Sequence, residues 1–256
     1  MTLLSARALT VRIGETHVCE GLDFDLEPGQ RWALLGGNGA GKTTLLHTLA
    51  GLRAPVAGSI HAAGIDLRIW NRKSLARRLG MLFQDSRDTM PGTVLETALT
   101  GRYPHLPLWA IEGEEDFRIA ESALRDVELW TMRSRRVDTL SGGERRRLAI
   151  AVLLVQSPQI WLLDEPTNHL DLRHQVGLLH MVGERVRAAG GGLVMSLHDV
   201  NLALRACTHA ALIVGGGELL CGPVSDVVRA EQLERMYRCS VRQVAGADGE
   251  TFYFPA

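Results

Sequence analysis

Nine consecutive residues, Gly36-Gly37-Asn38-Gly39-Ala40-Gly41-Lys42-Thr43-Thr44, carry the clearest chemical instruction in the chain. They fit G-x-x-x-x-G-K-[ST] and lie between a short apolar run, Trp32 to Leu35, and a segment in which Leu45, Leu46, Leu49 and Leu52 recur at helical spacing. Glycines let the backbone curl until successive N–H groups point at one centre, and a helix that begins there adds the positive end of its dipole. Such a loop grips phosphate. Lys42 is expected to reach the β- and γ-phosphates of a nucleotide, and the Thr43 hydroxyl to ligate Mg2+.

Further polar residues close apolar runs of strand length. Ile160-Trp161-Leu162-Leu163 ends in Asp164 and Glu165, where open α/β sheets assemble their sites. Asp164 is the expected metal residue, directly or through water, and Glu165 the expected base that polarises an attacking water. Gln84 closes Gly80-Met81-Leu82-Phe83 and His198 closes Val194-Met195-Ser196-Leu197, each placed to aim at the γ-phosphate or its metal shell. Singly, an acidic pair, a glutamine or a histidine at a strand end is an ordinary cap or hydrogen-bonding group. The phosphate loop upstream makes the sharper reading the better one.

A second small-residue loop, Leu140-Ser141-Gly142-Gly143-Glu144, opens directly into a helical pattern. Ser141 is a natural N-cap, with Leu148, Val152 and Val155 expected to face a core. That does not explain Gly142 and Gly143 in the first turn, where they cost helix stability. A small-residue loop that opens into a helix is also a recipe for gripping an anion.

The elements that must position these groups alternate along the chain. Near the start, Ala8 to Ile13 and Thr16 to Gln30 alternate apolar and polar residues with turns between them, as in a small antiparallel sheet. Gly51 and Pro55 punctuate the end of the helix after the phosphate loop. From about Asp88 to Ser157 the pattern is mostly helical, which predicts a helical subdomain inserted between core strands. The core sheet resumes with Ile160 to Asp164 and Gly191 to Asp199, continuous apolar runs suited to buried parallel strands. Ala210 to Gly222 reads as a hairpin and Val224 to Tyr237 as a helix; Gly246 to Ala256 is either a short strand or a loose end. The expected class is α/β, with one domain over 2–240, into which the helical subdomain is inserted, and a short tail over 241–256.

Bulk properties narrow the partners. Lys and Arg number 28 against 29 Asp and Glu in 256 residues, so no global field draws the chain to nucleic acid or acidic lipid. Arg133, Arg135, Arg136 and Arg145 to Arg147 are expected to be solvated helix faces, not nucleic-acid contacts. Cys19, Cys207, Cys221 and Cys239 form no pair or cluster, as expected of free thiols in a reducing cytosol. Arg7 and Arg12 interrupt the stretch where a signal peptide needs apolar residues, and the longest apolar run, Leu148 to Val155, is too short to span a bilayer.

The order of phosphate loop, Gln84, Leu140 to Glu144, Leu162 to Pro166, Asn168 to Asp171 and His198 resembles that of ATP-binding cassette proteins over nearly the whole chain. The resemblance implies a P-loop NTPase fold with a RecA-like core sheet, ATP and Mg2+ as cofactors, and hydrolysis of ATP. It makes Gln84 the Q-loop residue, Ser141 to Glu144 the signature, Asp171 the D-loop aspartate and His198 the switch histidine. In that family two cassettes pair head to tail, and the signature of one closes on ATP held by the phosphate loop of the other. One motif set implies a homodimer. The family's adenine-stacking aromatic is replaced here by Ile13, for which Arg12 or His17 would compensate.

Thr93 to His105, Asp164 to Gln175 and His198 to Cys207 are similar to the ATPase subunits of bacterial importers for cobalamin, ferric siderophores and haem. That implies a peripheral subunit on the cytoplasmic face of the inner membrane, a separate permease and, indirectly, a periplasmic or lipid-anchored binding protein. In that resemblance the segment after Gln84 touches the permease, with Arg102, Tyr103 and Pro104 nearby; an ordinary turn between helices is the other reading of those three. A soluble cassette ATPase of iron–sulfur assembly would share every nucleotide motif and is the alternative.

Overall fold

Period-two alternation in the first residues folds as expected into antiparallel strands. The computed structural model describes residues 2–84, 92–107, 109–246 and 249–256. β1 (Leu4–Ile13) and β2 (Thr16–Leu26) pair across a turn that sets Ile13 opposite Thr16. β3 (Arg31–Gly36) leaves for a second sheet and feeds the phosphate loop into α1 (Lys42–Leu49). The helix buries Leu45, Leu46 and Leu49; Gly51, at φ +69°, ends it, so Leu52 lies beyond the helix and is exposed. β4 (Ala57–Ala62) and β5 (Ile65–Asp66) return to the first sheet, in the order β2-β1-β4-β5.

α2 (Arg72–Ala76) and β6 (Leu79–Leu82) precede a stretch that, in the described residues up to the next strand, holds helices, 3-10 turns and one isolated bridge between Thr93 and Arg136. Its helices are α3 (Val94–Leu99), α4 (Glu114–Asp126) and α5 (Gly142–Gln156). Asp88, where the helical pattern was placed to begin, lies outside the described residues. α3 starts at a reciprocal Thr93–Glu96 capping box. α4 is tied down by the ion pair of Arg102 with Asp116 at 2.7 Å. α5 buries Leu148 and Val155 as expected, with Ile150, Ala151 and Leu153, while Val152 is half-buried.

The core sheet then fills in with β7 (Ile160–Leu163), α6 (Leu172–Ala188), β8 (Gly192–Ser196), α7 (Val200–Ala206), β9 (His209–Gly215) and β10 (Glu218–Pro223). Its order is β10-β9-β3-β8-β7-β6, parallel except for β10 at the edge. Both faces are covered, and alternation sorts the side chains. Leu34, Leu162 and Val194 pack with α1 and the antiparallel sheet. Ala33, Leu35, Leu163 and Met195 pack with α5, α6 and α7. Because the strands are parallel and in register (Leu82 beside Leu163, Leu163 beside Met195, Leu34 beside Ser196), the residues that follow them leave at one edge.

The single helix expected over Val224 to Tyr237 is two, α8 (Val224–Val227) and α9 (Ala230–Tyr237). Arg229 adopts an extended conformation, and the Val228 carbonyl accepts from the Tyr253 hydroxyl at 3.0 Å. The end of the chain is a strand: β11 (Val241–Ala245) and β12 (Thr251–Pro255) form a hairpin bound to α7 through Asn201 and the Tyr253 backbone. All four cysteines are free; burial pushes the Cys19 and Cys207 thiols up to about 11 and about 12.

Candidate functional site

The phosphate loop is shaped by what its glycines exclude. Gly41 sits at φ +99°, and a Cβ there would stand 2.4 Å from a Val18 methyl, so β2 packs directly on the loop. Gly41 is also the N-cap of α1 and offers the first-turn N–H groups no side-chain acceptor, which leaves them to a bound anion. Lys42 is 6 % exposed, and its Nζ donates to the carbonyls of Gly36 at 2.8 Å and Gly37 at 3.2 Å. Burial lowers its pKa, and the charges of Glu165 and Asp164 pull it back up. Thr43 and Thr44 are half-buried at the start of the helix.

At the end of β7, Asp164 is fully buried and Glu165 is 6 % exposed. Ser196, from β8, ties them together: its hydroxyl donates to Asp164 Oδ1 at 2.6 Å and accepts from the Glu165 N–H at 2.8 Å. Asp164 Oδ2 has no hydrogen-bond partner, the one buried side-chain polar atom so placed among the described residues. An oriented, desolvated carboxylate oxygen is a donor that a hard cation such as Mg2+ takes, so the residues present fit that ion. Ser196→Ala is expected to lower unfolding stability by about 1–3 kcal/mol, read from urea denaturation, because it strips partners from two buried groups.

The Glu165 carboxylate is held by three side chains. Oε2 accepts from Gln84 Nε2 at 3.0 Å and from Asn168 Nδ2, and Oε1 lies 2.5 Å from His198 Nε2. Gln84, Asp164, Glu165 and His198, which lie on three strand ends, thus meet in one cluster beside Lys42. Asn168 and Ser196 complete it. Asn168 lay inside a motif already noticed, but nothing in the sequence marked Ser196, an inward residue of a buried strand. Glu165 itself adopts φ +49°, a left-handed conformation that costs a side chain about 1–2 kcal/mol.

Ser141 and Glu144 cap each other: the Ser141 N–H donates to Glu144 Oε2 at 2.7 Å, and the Glu144 N–H to Ser141 Oγ at 3.3 Å. The ordinary N-cap reading is therefore met, and it leaves Ser141 and Gly142 exposed. The Ser141 N–H, donating to the carboxylate, holds the Glu144 pKa below the usual carboxylate range. Gly143 faces the His169 carbonyl, 3.1 Å from where a Cβ would stand. Asp171 caps α6, accepting from the His174 N–H at 2.9 Å.

Three expectations need correction or sharpening. Arg146 is not on a solvated face: it is 4 % exposed and hydrogen-bonds to backbone carbonyls at the ends of β6 and β7. Its neighbours Arg145 and Arg147 donate to the carbonyls of Asp138 and Val127. Arg102 turns inward to Asp116 and the Val155 carbonyl, and the Pro104 carbonyl accepts from Arg77, so Tyr103, 54 % exposed, is the member of that trio most open to a partner. Arg12 and His17, the candidates to replace an adenine-stacking ring near Ile13, both contact the Glu20 carboxylate.

A family model described as ABC transporter matches residues 19–168. The chain is 38 % identical to the ferric enterobactin transport ATP-binding protein FepC of Escherichia coli (strain K12), over 93 % of this chain and 89 % of that one. It is 34 % identical to the hemin import ATP-binding protein HmuV of Bradyrhizobium diazoefficiens, over 99 % and 94 %. Among solved structures it superposes on an inward-facing putative metal-chelate type ABC transporter with a TM-score of 0.86 at 25 % identity, covering 100 % of this chain and 98 % of that one.

Proposed function

The chain belongs to the ABC transporter family and is an ATPase, and from that premise we propose that it powers uptake of an iron chelate, a ferric siderophore or haem, or of cobalamin, through a separate membrane permease. The Glu165 carboxylate, oriented by Gln84, Asn168 and His198 next to a phosphate-loop lysine, carries the hydrolytic half of the reading. Similarity to import subunits over nearly the full length carries the transport half, and favours it over the iron–sulfur assembly alternative.

In this reading Gly36 to Thr44 cradle the phosphates, and Lys42 exchanges its carbonyl partners for β- and γ-phosphate oxygens. Thr43, Gln84 and Asp164 would hold Mg2+, which when bound would neutralise charge on the phosphate oxygens. Glu165 accepts a proton from the attacking water, and His198 fixes the carboxylate and faces the γ-phosphate. Ser141 to Glu144 serve the ATP of a second copy, which explains why one chain has two anion-binding helix starts. Closure of the pair then makes hydrolysis conditional on assembly, since phosphoryl transfer depends on positioning and charge stabilisation. In this reading the helices from Val94 to Gln156 carry the signature and report its state to the permease through the surface around Tyr103.

Among the described residues no helix is long and apolar enough to cross a membrane. We place the protein peripherally, on the cytoplasmic face. The test is uptake into proteoliposomes holding the chain with a permease that copurifies with it from membranes, and with a substrate-binding protein outside. ATP-dependent accumulation of a ferric siderophore, haem or cobalamin is expected; no accumulation of any of the three would end the import reading.

A further inference from the structure

Glu165 occupies a left-handed conformation, and its surroundings show what holds it there. On one side Ser196 fixes its N–H. On the other, the carbonyls of Asp164, Glu165 and Pro166 converge on a single guanidinium, that of Arg146: Nη2 donates to Asp164 O and, at 2.6 Å, to Glu165 O, and Nε donates to Pro166 O at 3.3 Å. Nη1 reaches the end of β6, donating to Phe83 O at 2.5 Å and Gln84 O at 3.4 Å. These five carbonyls belong to Gln84, Asp164, Glu165 or residues next to them. A planar fork of N–H donors can satisfy several carbonyls in fixed directions, which a lysine's single nitrogen cannot.

The origin of the side chain matters as much as its target. Arg146 lies in α5, five residues after Ser141, so the helix that begins at the signature loop also grips the backbone of the catalytic base. A packed helix moves as a rigid rod, and a shift at its N-terminus is a shift of the guanidinium. We propose that Arg146 is a positioning residue that sets the Glu165 carboxylate according to the state of the signature loop on its own helix. ATP of the partner copy, gripped by Ser141, thereby primes the base of this copy's own site. The proposal rests on the paired-cassette reading above.

The test compares Arg146→Met, which keeps volume but removes every donor, with Arg146→Gln, which restores amide donors. In the full-length chain we would measure equilibrium ATP binding without Mg2+, kcat, and the Hill coefficient for ATP hydrolysis. Expected for Arg146→Met are binding within about twofold of wild type and kcat lower by the order of 100-fold. The Hill coefficient falls from above about 1.5 to about 1, and Arg146→Gln recovers at least about tenfold of the lost rate. A wild-type rate in Arg146→Met, a parallel loss of binding and rate, a hyperbolic wild type, or loss of the folded circular-dichroism spectrum in both variants would each overturn the proposal. Unimpaired hydrolysis by Glu165→Gln or Lys42→Ala would instead overturn the underlying site reading.

Discussion

Glu165→Gln is expected to lower ATP hydrolysis by about 10²- to 10⁴-fold while ATP still binds, the range spanned by loss of a positioned general base. The reason is specific to the arrangement. An amide of the same shape can still accept from Asn168 or Gln84, so the fold around the loop persists, but it cannot take the proton of the attacking water. With closure intact and hydrolysis blocked, the ATP-loaded pair should accumulate. Size-exclusion chromatography with Mg-ATP would show the variant as a dimer and the wild type returning to monomer as ATP is consumed. A variant that hydrolyses ATP at the wild-type rate removes Glu165 from the chemistry.

Lys42→Ala is expected to fail earlier, at binding. Hydrogen bonds to charged groups contribute about 1.5–3 kcal/mol, so ATP affinity should fall by about 10- to 100-fold and hydrolysis with it. The nucleotide-free chain should not be weakened in the same way, because Lys42 is a desolvated cation resting on two loop carbonyls. Burial holds its pKa below the unfolded value, so between the two values the unfolded chain binds more protons and stability rises with pH. Lys42→Ala removes that slope near the top of the lysine range. Thermal melts with and without ATP separate the two effects: at a fixed ATP concentration the ATP-induced rise in Tm should shrink while the nucleotide-free Tm holds.

The sequence made the phosphate loop and the strand-end residues legible because both depend on local rules. Glycine spacing dictates the curl around Gly36 to Gly41, and an apolar run of strand length delivers whatever follows it to the edge of a parallel sheet. Tertiary packing decided the rest. Arg145, Arg146 and Arg147 look alike in sequence, yet successive helical positions point about 100° apart. The middle one alone is buried against the ends of β6 and β7, and its neighbours donate to the carbonyls of Asp138 and Val127 on the helical side. Arg102 likewise reads as a surface charge in a turn until Asp116, fourteen residues on, folds back onto it. Ser196 carries no signal because a serine in a buried strand acquires its role only from the strand beside it. At the break between α8 and α9 the Val228 carbonyl accepts from the Tyr253 hydroxyl, a partner twenty-five residues away that local propensity does not see.

The central claim, that ATP is hydrolysed between the phosphate loop of one copy and the signature loop of another, is tested most directly by measuring the specific ATPase activity of the purified chain as it is diluted. The account predicts that activity per molecule falls on dilution, in step with loss of dimer in sedimentation, and that adding an Arg at the signature (Ser141→Arg) abolishes it without impairing ATP binding. Constant activity per molecule down to concentrations at which sedimentation finds only monomer would contradict it.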